Sequence, residues 1–188
     1  MPIATSVLRK EHDAILKMLD ATEQAARRIE SGQTVAPETL QGLLEFFQLF
    51  ADQCHHGKEE DLLFPLLESR GLPRHGGPTG VMLREHDQGR ELIGQMVEAV
   101  EASKAGDHDA PGRWAEAARA YAELLRAHIA KENNILFVMA ENMLSPEEQS
   151  KLAAEFEKLE VEKMGAGTHE RLHATMDKLV HELAPNET

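Results

Sequence analysis

Two stretches of the chain carry the same chemically active residues. His55 and Glu59 stand four apart and are followed by Leu63 and Phe64; His128 and Glu132 stand four apart and are followed by Leu136 and Phe137. Upstream of each pair, at nearly equal intervals, lies a further histidine: His12 in RKEHD and His86 in REHD. Helical residues four apart share a face, so each His-Glu pair can reach one point in a core. Taken singly, such a pair reads equally well as an exposed surface contact, and a lone histidine on an apolar face, as His12 is, is more often a satisfied core residue. The duplication separates the two readings. Four imidazoles and two carboxylates recur in register, and burying them without a cation would leave isolated charges out of water at a large cost.

A cation turns that cost into binding energy. Imidazole and carboxylate donors without thiolates suit iron, with manganese second, and fit structural zinc poorly. The expected metal ligands are His12, His55, Glu59, His86, His128 and Glu132, holding two iron ions. Two octahedral metals offer about twelve positions; these ligands fill about eight and a bridging oxide or hydroxide about two more, which leaves roughly two open. An open, redox-capable pair can take dioxygen, nitric oxide or peroxide.

Helices must position these groups. A first helix from Thr5 or Ser6, either able to cap it, carries Val7, Leu8, His12, Ile15, Leu16 and Leu19 at helical spacing and stops near Gly32. Glu11 and Asp13 fall elsewhere on it and read as solvated charges. Pro37 suits the first position of a second helix that reaches His55 and should kink or end at Pro65. The Gly- and Pro-rich stretch 71–80 is a loop, and its His75 reads as a solvent residue. A third helix from near Thr79 carries His86; Gly89 and Gly94 beside it give either room next to a metal or close helix packing. A fourth, from near Pro111, carries Trp114, Tyr121 and His128, with the Tyr121 hydroxyl as a candidate donor to a ligand if buried. Ser145-Pro146-Glu147-Glu148 opens a fifth helix as a capping box, Gly165 and Gly167 break it, and Thr168 opens a short sixth. His169 and His173 in the sixth lack a matching carboxylate repeat, so the segment reads as a lid or an oligomer contact before a metal site.

The predicted fold is therefore all-α: an up-down four-helix bundle over 1–143 with two additional C-terminal helices over 144–188 packed on it. Low aromatic content (4%) and abundant Ala, Leu, Glu and Lys agree with helix. Twenty basic against 33 acidic residues give a net charge of -13, which repels nucleic acid and anionic membrane surfaces. A single cysteine, Cys54, and an opening stretch without an apolar run lead to the expectation of a cytoplasmic protein.

The pattern resembles the hemerythrin-like (HHE cation-binding) family over about residues 8–140, through the six ligands above and through KEEDLLFP and KENNILF, which are similar to the family's helix-end signatures. Aligning the two Leu-Phe pairs selects His55 and Glu59 over the overlapping His56 and Glu60. Family resemblance also makes His56 a possible additional ligand, because the position after the second-helix histidine can carry one. Oxygen-carrying members use HxxxH on the third helix and an aspartate on the fourth, where this chain has Arg90 and Glu132, which argues against a dedicated oxygen carrier. The resemblance implies a non-haem di-iron protein that binds or reduces dioxygen, nitric oxide or peroxide in stress response or sensing. The alternative is an iron-responsive module whose C-terminal helices meet a partner protein or a second copy. His56 crowds the first copy and the glycines loosen the second, so an asymmetric pair is expected, open nearer His86.

Overall fold

The computed structural model describes residues 3–165 and 167–185, and every regular element among them is helical. Helix α1 is Ala4–Glu30. Helix α2 runs without interruption over 37–69: Pro37–Phe46, wide π turns over Phe47–His56 and Glu59–Leu63, then Phe64–Ser69. Helix α3 is Pro78–Lys104. Helix α4 spans 110–143, with Ala110–Lys131, a π turn over Glu132–Leu136, and Phe137–Met143. Helices α5, Pro146–Met164, and α6, Thr168–Leu183, follow. Among the described residues no helix is long and apolar enough to cross a membrane.

The boundaries follow local chemistry, with three departures from the sequence reading. Pro37 opens α2 and Gly32, at φ 79°, follows α1. Gly165 and Gly167, at φ 78° and 80°, turn the chain from α5 into α6 through a backbone region that a Cβ disfavours. Ser145 accepts from the Glu148 amide and the Glu148 carboxylate accepts from the Ser145 amide, completing the capping box. Thr5 does not cap α1. It lies inside the helix, and its hydroxyl donates to Glu141 of α4 at 2.9 Å. Pro65 does not end α2 where it stands, because it falls in the first turn of the Phe64–Ser69 segment, directly after a π turn. Sequence periodicity gave no sign of the π turns, which need only one extra residue per turn.

Each of α1 to α4 packs on the next and α4 returns to α1, an up-down bundle; α5 and α6 both lie across α1 and α2. Two apolar clusters fill it. One holds Leu8, Leu63, Phe64, Met82, Leu136 and Phe137 and is completed by Leu152 and Phe156 of α5. The other holds Ile15, Ala51, Ile93, Trp114 and Ile129 and is completed by Leu172, Met176 and Leu179 of α6. Along every bundle helix a histidine station falls between residues of the two clusters. The fold therefore sandwiches one polar layer between two apolar ones, and each fully buried Leu or Phe on either side contributes about 1.5–3 kcal/mol.

Candidate metal centre

The polar layer brings the six expected ligands together, all buried. Donor atoms of His12, His55, Glu59 and Glu132 lie within 4.8 Å of one another, and so do those of His56, Glu59, His86 and His128. The carboxylates span the two groups. Glu59 places Oε1 3.6 Å from His55 Nε2 and Oε2 3.5 Å from His86 Nε2; Glu132 places Oε2 3.1 Å from His12 Nε2 and Oε1 3.2 Å from His128 Nε2. This gives a first station of His12 and His55 and a second of His86 and His128, a pairing that spacing along the chain did not reveal. His56 belongs to the second: its ring stacks on His86 with centroids 3.8 Å apart. Glu60, the carboxylate of the overlapping register, lies at the edge and serves another purpose.

Every one of these imidazoles is held at Nδ1 by an oxygen. His55 donates to Glu11 at 2.8 Å, His86 to Glu60 at 2.7 Å, His128 to Glu85 at 2.9 Å, His56 to Asp52 at 3.3 Å, and His12 to the Asn133 amide oxygen at 3.0 Å. A carboxylate can only accept, so Nδ1 carries the proton and Nε2 turns a lone pair inward. The supports are themselves held: Glu11 by Lys58, Glu85 by Lys131, and both Asp52 and Glu60 by Arg90. Glu11 is thus a correction to the sequence reading. It is buried against His55 and Lys58, whereas Asp13 is exposed as expected.

The supports cross between the copies. Glu60 and Phe64, which follow the first His-Glu pair, meet His86; Asn133 and Phe137, which follow the second, meet His12, with ring centroids 6.0 Å and 5.4 Å apart for the two aromatic pairs. The recurring Leu-Phe signature therefore places an aromatic face against the other copy's upstream histidine. Glu11, Glu60, Glu85, Lys58 and Lys131 were missed as functional groups because their partners lie on other helices. A signal was present all the same: Glu-His and Lys-Glu recur at matching places in both copies.

His12 Nε2, His55 Nε2 and all four oxygens of Glu59 and Glu132 are buried without a hydrogen-bond partner among the described residues. Orphaned buried donors and acceptors normally cost stability, so converging ones mark a place built for a cation. The electrostatics agree. Burial pushes the Glu59 carboxyl well above the usual carboxylate range and the Glu132 charge adds to it. At Glu132 burial is outweighed by His128 and His12, which hold the carboxyl well below that range. Burial lowers His55 to about 4 and, with His56 beside it, His86 to about 3, so both present neutral rings. His128 is raised to about 9, because Glu132 and Glu85 overcome burial.

The second station is reached from a cavity. A cavity of about 230 Å³ opens against the second station, lined by His56, His86, Gly89, Gly94, Ile93 and Tyr121, with Arg90 and Gln48 among its polar residues. A Cβ on Gly94 would meet nothing within 4 Å and one on Gly89 only Tyr121, at 3.5 Å, so the glycines leave space and are not forced by close helix packing. Tyr121 packs edge-on against Phe47, and its hydroxyl bonds to no ligand among the described residues. His169 and His173 lie on α6 against Phe50, outside both stations, with their Nε2 atoms 3.2 Å apart. His75 is exposed.

The profile of the Hemerythrin HHE cation binding domain matches residues 4–140. Among curated relatives, the uncharacterized protein Rv1995 of Mycobacterium tuberculosis is 26% identical over 158 residues, which is 84% of this chain and 61% of that protein. The iron-sulfur cluster repair protein YtfE of Escherichia coli is 27% identical over 143 residues, 73% of this chain and 64% of that protein; its Salmonella paratyphi B counterpart is 28% identical over 144 residues with the same coverage. The chain thus spans less than two thirds of the length of these relatives. No solved structure matches.

Proposed function

This chain belongs to the hemerythrin HHE cation-binding family, and on that premise we propose that it is a non-haem di-iron protein that binds or reduces dioxygen, nitric oxide or peroxide. The observation that carries this reading is the pair of carboxylates, each with one oxygen toward a histidine of the first station and the other toward a histidine of the second. His12 and His55 would hold one iron, His86 and His128 the other, with Glu59 and Glu132 shared. His56 would complete the second station or stand beside it. A donor set of imidazoles and carboxylates favours iron over zinc, and the similarity to iron-sulfur cluster repair proteins supports iron as the metal.

When bound, a redox-capable iron pair supplies electrons to a small oxygen or nitrogen compound. The remaining work falls to the chain. Phe47, Ile93 and the Tyr121 ring give the cavity an apolar wall that suits small, weakly hydrated molecules, while Gly89 and Gly94 keep it open. Glu60 and Asp52 fix the His86 and His56 rings at its floor, and Arg90, which clamps both carboxylates, holds its rim. On the far side the first station lies beneath α5 and sees no such opening among the described cavities. Ligand exchange is assigned to the second station and metal retention to the first.

Metal analysis combined with an anaerobic-to-aerobic optical spectrum tests this. The expected outcome is about two irons per chain and a near-ultraviolet band that changes with oxygen, peroxide or nitric oxide. Stoichiometric zinc with no spectral response to any of the three would end the proposal.

A further inference from the structure

We propose that Glu160, on the C-terminal helix α5, is a positioning residue for His55, so that α5 sets how firmly the first station keeps its metal. The inference rests on the two-station reading of the centre and adds a residue from outside the family-matched segment 4–140.

The contacts form an unbroken chain. Glu160 Oε2 accepts from Lys58 Nζ at 2.8 Å; Lys58 also pairs with Glu11 Oε1; Glu11 Oε2 accepts from His55 Nδ1 at 2.8 Å. Only 1% of the Lys58 side chain is exposed, so this ammonium has protein oxygens and little water to serve its three donors. With Glu160 present, Lys58 is shared between two carboxylates and Glu11 can give one oxygen to each neighbour. Without it, the buried ammonium would draw on both oxygens of Glu11 and compete with His55 for the one that orients its ring. Helix α5 is held firmly in place. Its start is a complete capping box, Leu152 and Phe156 sit in an apolar cluster, and the buried Leu159 packs against α2 beside Gly57.

The duplication supplies an internal control. Lys131, Glu85 and His128 repeat the order Lys58, Glu11 and His55 at the second station, but Lys131 is 37% exposed and pairs with no carboxylate other than Glu85 among the described residues. Water can serve its remaining donors. Among the described residues only the first station has a second carboxylate, and it comes from the helix that covers that side.

The test uses Glu160→Gln in the full-length chain, with Glu157→Gln, an exposed neighbour on α5, as control. In metal-free protein, imidazole NMR should show the His55 Nδ1 proton exchanging with solvent faster in Glu160→Gln, while that of His128 is unchanged. In iron-loaded protein one of two metals should pass to a chelator about tenfold faster, the low end for loss of a group supporting a ligand. Glu160→Asp, which keeps the charge, should recover most of the difference, and far-UV circular dichroism should match wild type. Equal effects at His55 and His128, or none at either, would overturn the assignment. If the protein proved to hold a single zinc, the His55 signal would still decide the point, so this proposal and the di-iron reading can fail separately.

Discussion

At the first station the carboxylate behind His55 is paired to a lysine whose side chain is 1% exposed and which α5 covers; at the second, the carboxylate behind His128 is paired to a lysine 37% exposed. The same sequence elements build both supports, and the residue that follows the helix histidine differs, His56 in one copy and Ile129 in the other. Duplication fixes the inner geometry, while the surroundings decide which half is sealed and which is reached. Ile129 packs into an apolar cluster, whereas His56 lines the cavity. Asymmetry here comes from what was laid over and cut beside the two copies and from His56, which joins the second station where the other copy has Ile129.

The largest expected effect ignores the comparison and so bounds it. Glu59→Ala removes an oxygen from both stations at once, and iron content should fall from about two per chain to below one, since losing a shared ligand costs more than the 10–100-fold typical of its supports. Retention of a full first station in plasma emission analysis would show that Glu59 is not shared. Next, Lys58→Met should cost about 3–5 kcal/mol because it strands the buried Glu11 charge, while Lys131→Met should cost no more than about 1 kcal/mol at its half-exposed site. Equal shifts in urea unfolding of the metal-free proteins would erase the contrast. Third, Gly94→Leu fills the cavity without touching a ligand, and stopped-flow reaction with peroxide or nitric oxide should slow by about tenfold or more, within the one to three decades over which on-rates of related variants spread; an unchanged rate would move the entrance elsewhere.

The smallest effect concerns protons. His128 is raised to about 9 by Glu132 and Glu85 despite its burial, so at neutral pH it holds a proton that a metal must displace, whereas His55, lowered to about 4 by burial, has none to give up. Occupancy of the second station should therefore strengthen as pH rises toward about 9 and release protons, while that of the first should change less. Titration calorimetry in buffers of different ionisation heat measures the release. An identical proton count for both binding steps would contradict the assignment.

The convergence of six side chains, the order of the helices and the capping box at Ser145 were legible because each rests on spacing along one helix or on repetition between copies. The station partnership was not, since His12 meets His55 and His86 meets His128 only through helix packing. Glu11 was misread for the same reason: next to His12 in the chain, it points away from that ring and toward His55 on the neighbouring helix. Lys58 looks like any charged residue of a helix surface until α5 is in place. The Leu-Phe alignment selected His55 and Glu59 over His56 and Glu60, yet both His55 and His56 are buried, on a stretch of π turns.

Those wide turns bear on how the chain is compared with its kin. A π turn is an α-helix with one residue inserted and kept, and here such turns begin at Glu59 and at Glu132, between each glutamate and its Leu-Phe pair. A relative lacking the insertion would carry its own Leu-Phe pair one position earlier, and an ungapped alignment would then shift either the glutamate or the aromatic by one. Residue-by-residue transfer of roles across this family should allow a single-residue gap inside the helix at both places.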